Sequence, residues 1–500
     1  MNTASTRIIV CCMLLTSLFI GAVKLPLHVE AEQGAPYDTG LGYWQTDADW
    51  WIQSGDTVAH ENKTIVVNGD LIVNGSLTLT NVTLKMANAT YDGEYGITVL
   101  ENGTLTIQDY DDDKDTTSDA SVVESNTSFR FDFEATPGSK LELKNSRLSD
   151  CGWSSSIYIN EHGLFINTNW ANVTGTIIND SYCGAIIYEC NNVTLANNTV
   201  YDIEHDGVYT QDAVDCYLQN NSFYNIQDRV IFLYSSVSIN LSYNDISDNP
   251  SAFGILVRGD GAHEIYNNTL YNNAIGIFLY GNGSTETTAL CLINENDISG
   301  NSDGIYIRGL DGADAIQYIE IYDNDIYSNS NGIFVIGQNA MWAIHDLYIY
   351  GNEIYSNTNY GIHLRGENGP VLAINTIFIY NNTVRNNGGS GGHGIYFLDT
   401  TSFSNVAAIY CYNNEVRDNV YGGTAAGYYI ESASYIFIED DYIARNNRNV
   451  WVRSSDNIYI TNSTIEKRAA GGSLDLYLQD PWGNPPSVYL LNTTFNKAYA

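Results

Sequence analysis

The chain has 500 residues, and its 58 acidic residues against 21 Lys and Arg give a formal net charge of −37 at pH 7. A field of that sign repels nucleic acid and anionic membranes and tolerates salt and divalent cations. Nucleic-acid binding is therefore excluded as a main role.

The N-terminus carries one base, Arg7, then an apolar run over 8–23 and a possible cleavage signature at Val29-Glu30-Ala31. That is the anatomy of a signal peptide over 1–31, and the run is short for a spanning helix. An uncleaved anchor is the alternative; Cys11 and Cys12 lack a lipobox arrangement. No further span is expected, which predicts a secreted or cell-surface protein. Residues 32–56 hold Trp44, Trp50 and Trp51. They are predicted to cap the apolar end of a solenoid, with Trp50 and Trp51 both packed on it; an aromatic sugar platform is the other reading.

From 57 onward short alternating stretches (64–67, 71–73, 77–79, 104–107) predict strands separated by turns. The acidic stretch 109–120 superficially resembles a calcium loop. Lys114 stands where such a loop needs Gly, however, and Ala120 where it needs Glu, so a solvated insertion is expected.

The chain then settles into a period. Asn268, Asn296, Asn324, Asn352 and Asn382 are spaced by 28, 28, 28 and 30 residues. Each is followed five residues on by a second Asn (Asn273, Asn301, Asn329, Asn357, Asn387), then by Gly-Ile-x-apolar, a loop, and an alternating strand such as Ile319-Glu320-Ile321-Tyr322. Apolar residues fall at −5, −3 and +2 from the first Asn, which is a strand period on both sides of a turn. Coils of about 21–32 residues with no helical pattern bury an inner face only by stacking. The expected fold is all-β, a right-handed parallel β-helix over 57–500, with Asn244, Asn268, Asn296, Asn324, Asn352, Asn382 and Asn414 forming a ladder of amides along one turn. The chain reaches Ala500 in what reads as mid-coil, so an open end covered by further chain or a partner is expected.

Cys216, Cys291 and Cys411 fall in inward slots and read as small buried apolar residues, whereas Cys151, Cys183 and Cys190 lie off register and leave a disulfide open. Seventeen Asn-x-Ser/Thr sequons predict glycosylation only in a host that N-glycosylates its surface proteins, because an Asn- and Thr-rich solenoid generates them by composition.

In five consecutive coils the extra residues enter at one corner, after the Gly-Ile strand: 281–290, 309–318, 337–346, 366–376 and 399–408. These loops predict a wall along one side of the solenoid (281–408), holding Asp311, Asp314, Trp342, His345, Glu367 and Phe403. At the strand end feeding the wall stand Arg258, Tyr280, Arg308, Ile336, Arg365, Leu398 and Glu431, one per coil. Arg258, Arg308 and Arg365 then recur every second coil, about 9.6 Å apart. A ligand row of Arg258, Tyr280, Arg308, Trp342, Arg365 and Glu367 is one expectation. The other is that each Arg pins a loop through an acid such as Asp260, Asp311 or Glu367.

These repeats resemble the right-handed parallel β-helix superfamily of pectate lyases, polygalacturonases and NosD-type surface proteins over roughly 57–495. The hydrolase motifs are incomplete: Gly392-His393-Gly394 stands alone, Asp440-Asp441 follows it, and Asn167-Thr168 precedes Asn169. His393 and the His205-Asp206 pair therefore read as turn residues. A lyase-like set of Arg308 and Arg365 with Asp311 and Asp314, assisted by calcium on Asp311, Asp314 and Glu367, matches by residue type but lacks the Arg-x-Pro-x-x-Arg pattern. The resemblance implies a polysaccharide-binding or envelope-structural protein without catalysis; the alternatives are a polysaccharide lyase or hydrolase on the 258–408 wall, and an adhesin. No cofactor is predicted beyond a possible Ca2+.

Overall fold

A computed structural model describes residues 34–111, 119–154, 159–283, 286–369, 372–389, 391–401, 405–420, 424–468, 474–480 and 485–496. The expected signal segment and most of the acidic insertion lie outside the described residues, as does Phe403. Within the described residues the chain winds as a right-handed parallel β-helix of 50 strands, nearly all paired in parallel. The one helical turn among them is a short 3₁₀ segment, Ile159–Glu161.

One coil shows the design. Ile316–Tyr322 forms face A, Asp325–Tyr327 face B and Asn331–Gln338 face C. The next coil repeats them directly above as Ile344–Tyr350, Glu353–Tyr355 and Tyr360–Glu367. Alternation turns Ile319, Ile321, Ile326, Ile333 and Val335 inward, all fully buried. Each such β-branched side chain suits an extended backbone and contributes roughly 1.5–3 kcal/mol by leaving water.

The turn between faces A and B explains the asparagines. Asn267, Asp323, Asn381 and Asn413, each just before a ladder position, have φ of 52 to 56°, a left-handed conformation that Asn, Asp and Gly tolerate best. The next residue turns inward. Asn324 donates its backbone N–H and its Nδ2 to Asn352 Oδ1 (both 3.0 Å) and Nδ2 again to the Ile293 carbonyl at 2.9 Å. The same bonds link every predicted member from Asn244 to Asn414 and extend back to Asn198 and Asn221. The file ends at Asp441, whose Oδ1 accepts from the Asn414 backbone N–H at 2.7 Å. A second file begins at Asn249, runs through Asn273, Asn301, Asn329, Asn357 and Asn387, and lines the turn between faces B and C. Sequons at Asn197, Asn220, Asn267 and Asn381 are by-products of this turn: a left-handed Asn, a ladder Asn, then the Thr or Ser that opens face B.

Several expectations change. Trp50–Ile52 pairs in parallel with Leu71–Val73, so the segment expected as a separate cap already contributes a strand of the first coil. Trp50 is buried in the core, but Trp51 faces outward at 37% exposure, because neighbours in a strand point opposite ways. Asp109 is buried rather than solvated and accepts from Asn145. All six described cysteines are free and buried, with no disulfide among Cys151, Cys183 and Cys190. Leu478, Leu490 and Phe495 continue the buried files of Val452, Ile460 and Ile465 yet are 44–47% exposed at the last described coil.

Face A changes character along its length. In its early coils the outward positions are polar or small, Tyr217 excepted: Asn172, Thr174, Thr194, Ala196, Gln219, Asn240 and Ser242. In the later coils they become two files of stacked rings. One is Tyr322, Tyr350, Tyr380 and Tyr412, with centroids 4.6 to 4.9 Å apart. The other is Tyr348, Phe378, Tyr410, Phe437, Tyr459 and Tyr489, at 4.9 to 5.1 Å.

Candidate ligand-binding face

Face C is built on the Gly-Ile-x-apolar segment. Its glycine is required sterically: a Cβ at Gly304 would lie 2.6 Å from the Gly332 carbonyl and 3.0 Å from Asn329 Nδ2. The following Ile and the residue two beyond it point into the core, leaving the x position and the residue two after it outward.

The second of these outward positions is the predicted row. Arg258, Tyr280, Arg308, Ile336, Arg365, Leu398 and Glu431 are consecutive register partners, and Arg453 continues them. The three arginines do stand on alternate coils, and their partners differ in kind. Arg258 pairs with Glu286, which also accepts from Tyr234 Oη at 3.0 Å, so Asp260 is not its partner. Arg365 pairs with Glu367, as expected of a pinned loop. Arg453 pairs with Glu431 at 2.7 Å. Arg308 donates Nε to Gln338 Oε1 at 3.0 Å, Gln338 in turn donates to Glu367, and among the described residues no carboxylate lies within 4.0 Å of Arg308. Arg308 is thus the uncompensated cation of the row.

The x position, for which the sequence sets no expectation, forms an aromatic stripe beside the row. Phe278, Tyr306, Phe334, His363, Tyr396, Tyr429 and Trp451 stack at 4.1 to 5.2 Å. A signal is present, since x is Phe, Tyr, Phe and His in successive Gly-Ile units. Burial among these rings pushes His363 and His393 down to about 3, so both are neutral. His393 lies in the Gly-rich connection ahead of Ile395–Asp399, as expected, but it is buried there, and its Nδ1 accepts from the Ala426 N–H at 3.0 Å. Burial pushes the Tyr396 phenol up, and it donates to Glu431 at 2.8 Å. His363 Nε2 and Arg365 Nε are buried without a partner among the described residues.

The wall residues stitch loop to loop. Asp311 accepts from Asn339 at 2.7 Å, while Asp314 lies 2.8 Å from His345, which reaches Asp346 with its other nitrogen at 2.8 Å. Trp342 is 45% exposed. Asp311, Asp314 and Glu367 thus serve separate partners and form no shared donor group, so the calcium set expected from residue types is not assembled. The described residues bring together another group instead: Cys183, His205 and Asp206, with donor atoms within 4.8 Å of one another. Farther toward the N-terminus on face C, burial pushes Asp132 up to about 7 against a Trp153 Nε1 donor at 2.9 Å.

Residues 117–290 match the family described as periplasmic copper-binding protein (NosD), and residues 253–423 match the right handed beta helix region. No curated protein matches the chain in sequence. Among solved structures, the A-module of mannuronan C-5 epimerase AlgE4 from Azotobacter vinelandii is 12% identical over 88% of this chain and 89% of that one, with a TM-score of 0.33. The periplasmic alginate epimerase AlgG is 12% identical over 93% and 81%, at 0.29. The tailspike protein of E. coli bacteriophage HK620 is 10% identical over 86% and 72%, at 0.44.

The first matched family is described by copper, and the Cys183, His205 and Asp206 group lies inside that match. Thiol, imidazole and carboxylate suit a soft or borderline ion. Their arrangement does not. Arg229 donates Nε and an Nη to Asp206 at 2.6 and 2.8 Å, and that Nη also lies 3.4 Å from His205 Nδ1. A guanidinium occupies the cation's place, and burial pushes the Cys183 thiol up, against the thiolate a metal needs.

Proposed function

We propose that this parallel β-helix, whose residues 253–423 match the right handed beta helix region, binds an extended polysaccharide along face C, between the aromatic stripe and the loop wall, without cleaving it. The observation that carries this reading is the row from Arg258 to Arg453, which offers a polar or aromatic group at nearly every coil step of about 4.8 Å. A polymer with a regular repeat can satisfy such a row, whereas a compact ligand cannot. The rings beside it stack on one another, so sugar recognition rests on hydrogen bonds from Arg308, Gln338, Tyr280 and the paired charges rather than on ring faces.

The titratable groups of the row support binding over catalysis. Glu286, Glu367 and Glu431 are each held by an arginine of the row, His363 and His393 beside it are neutral, and Tyr396 is a donor. General acid–base chemistry needs a group poised near the working pH; on face C burial brings Asp132 there, but it lies outside both the row and the loop wall. A location outside the cytoplasm accords with the matched family's description as periplasmic.

The test is a glycan array of neutral and uronate polymers probed with and without chelator, using the wild type, Arg308→Ala and Arg365→Ala, together with an assay for new chain ends. Binding lost in Arg308→Ala with no new ends supports the reading. Polymer cleavage that disappears in the same variant overturns it in favour of a lyase or hydrolase.

A further inference from the structure

We propose that the aromatic half of face A is a docking surface for a second copy of this chain. A continuous file of rings is not needed to hold the solenoid, because the early coils of the same face close with Thr, Asn, Ser and Ala at the equivalent positions and a single Tyr217 among them. They also make a poor sugar platform. Interplanar angles of 3 to 5° along the Tyr322–Tyr412 file mean each ring covers its neighbour's face and leaves its edge outward, with the Tyr350 hydroxyl donating to Glu320 at 2.8 Å. Edges and hydroxyls of regularly spaced tyrosines suit a protein surface.

Charge and pitch select the partner. On a chain of net charge −37, the six outward positions from Tyr348 to Tyr412 carry no ionised group; Glu320 precedes Tyr348 in one file and Glu439 succeeds Tyr412 in the other. A second copy is repelled elsewhere and meets no such opposition here. Two copies also share one ring spacing, so ridges on one face fit furrows on the other along the whole length. Seven face-A strands of up to seven residues give about 30 by 23 Å, or about 700 Å2, with Glu320, Asp346, Glu439 and Asp456 around the uncharged centre. That area is close to the roughly 800 Å2 per partner of a stable interface.

The experiment is sedimentation equilibrium on the exported chain up to about 100 μM, a range that covers weak dimers. A wild-type dimer is expected. Phe378→Ser with Tyr410→Ser should raise the dissociation constant at least about 100-fold, as loss of central aromatic anchors does. Should that variant misfold, by far-ultraviolet dichroism and melting, the milder Tyr380→Glu places one charge in the same patch. Thr194→Glu, on the polar part of the face, should leave the dimer intact. A monomeric wild type overturns the proposal, as does a dimer that survives Tyr380→Glu.

Discussion

Faces A and C belong to the same coils, share one hydrophobic interior and repeat at one spacing, yet they present opposite chemistry. Face C joins stacked rings to a row of arginines and carboxylates in which one guanidinium is left uncompensated, with a wall of loops at its edge. Face A, around the corner, has stacked rings whose central six positions, from Tyr348 to Tyr412, carry no charge. The inward residues are interchangeable isoleucines, so only the outward positions distinguish the faces. In a solenoid the scaffold is fixed by one half of the residues and the surface is written by the other half.

That separation can be broken most severely through what both faces share. Asn324→Ala removes donors to Ile293 and Asn352 and the acceptor used by Asn296. It should cost about 3 kcal/mol in chemical denaturation, with glycan binding and self-association failing together as the fold does. Arg308→Ala should separate the faces: glycan affinity drops about 10- to 100-fold, the loss of one charge-assisted contact, while melting temperature and dimer stay unchanged.

Two titrations sharpen the contrast further. Burial pushes Asp441, which ends the first amide file, up to about 7. Its folded pKa exceeds its unfolded value, so it withdraws stability as pH rises from about 4 to about 7. Asp441→Asn should therefore stabilise the protein at pH 8 by on the order of 1–2 kcal/mol and have no effect at pH 3. His363 behaves in the opposite sense. Its pKa is depressed to about 3, so stability is lost as pH falls from about 6.5 toward 3. At pH 5.5 the loss is about 1 kcal/mol, and His363→Phe should remove it, as read from melting temperature against pH.

The winding is legible in the residues because its two strongest constraints are periodic: a left-handed turn that favours Asn, and an interior that accepts only aliphatic residues. Counting from each Gly also locates the row from Arg258 to Glu431. Its partners are not legible. Glu286 and Gln338 sit where loop lengths vary, so their offset from the arginine differs from coil to coil. The rings on both faces escape such counting, because an outward position looks free once the inward ones are satisfied. Alternation alone places Trp51 outward, given Trp50. At His393 the Gly-His-Gly triplet suggests a turn, and only packing against Tyr360, Tyr396 and Tyr429 reveals a buried ring.

The amide files have one property beyond holding the turns. Every amide in the first file donates to the next amide toward the C-terminus and accepts from the one before, while its Nδ2 also bonds back to a carbonyl of the preceding coil, so the amide-to-amide bonds point one way from Asn198 to Asp441. Such a file is polarised, with its N–H ends directed at the carboxylate that stops it, an acceptor with no proton to pass on when ionised. Each winding is completed only by the arrival of its successor, which makes assembly vectorial: the order in which the chain emerges during synthesis is also the order in which its hydrogen bonds can be closed.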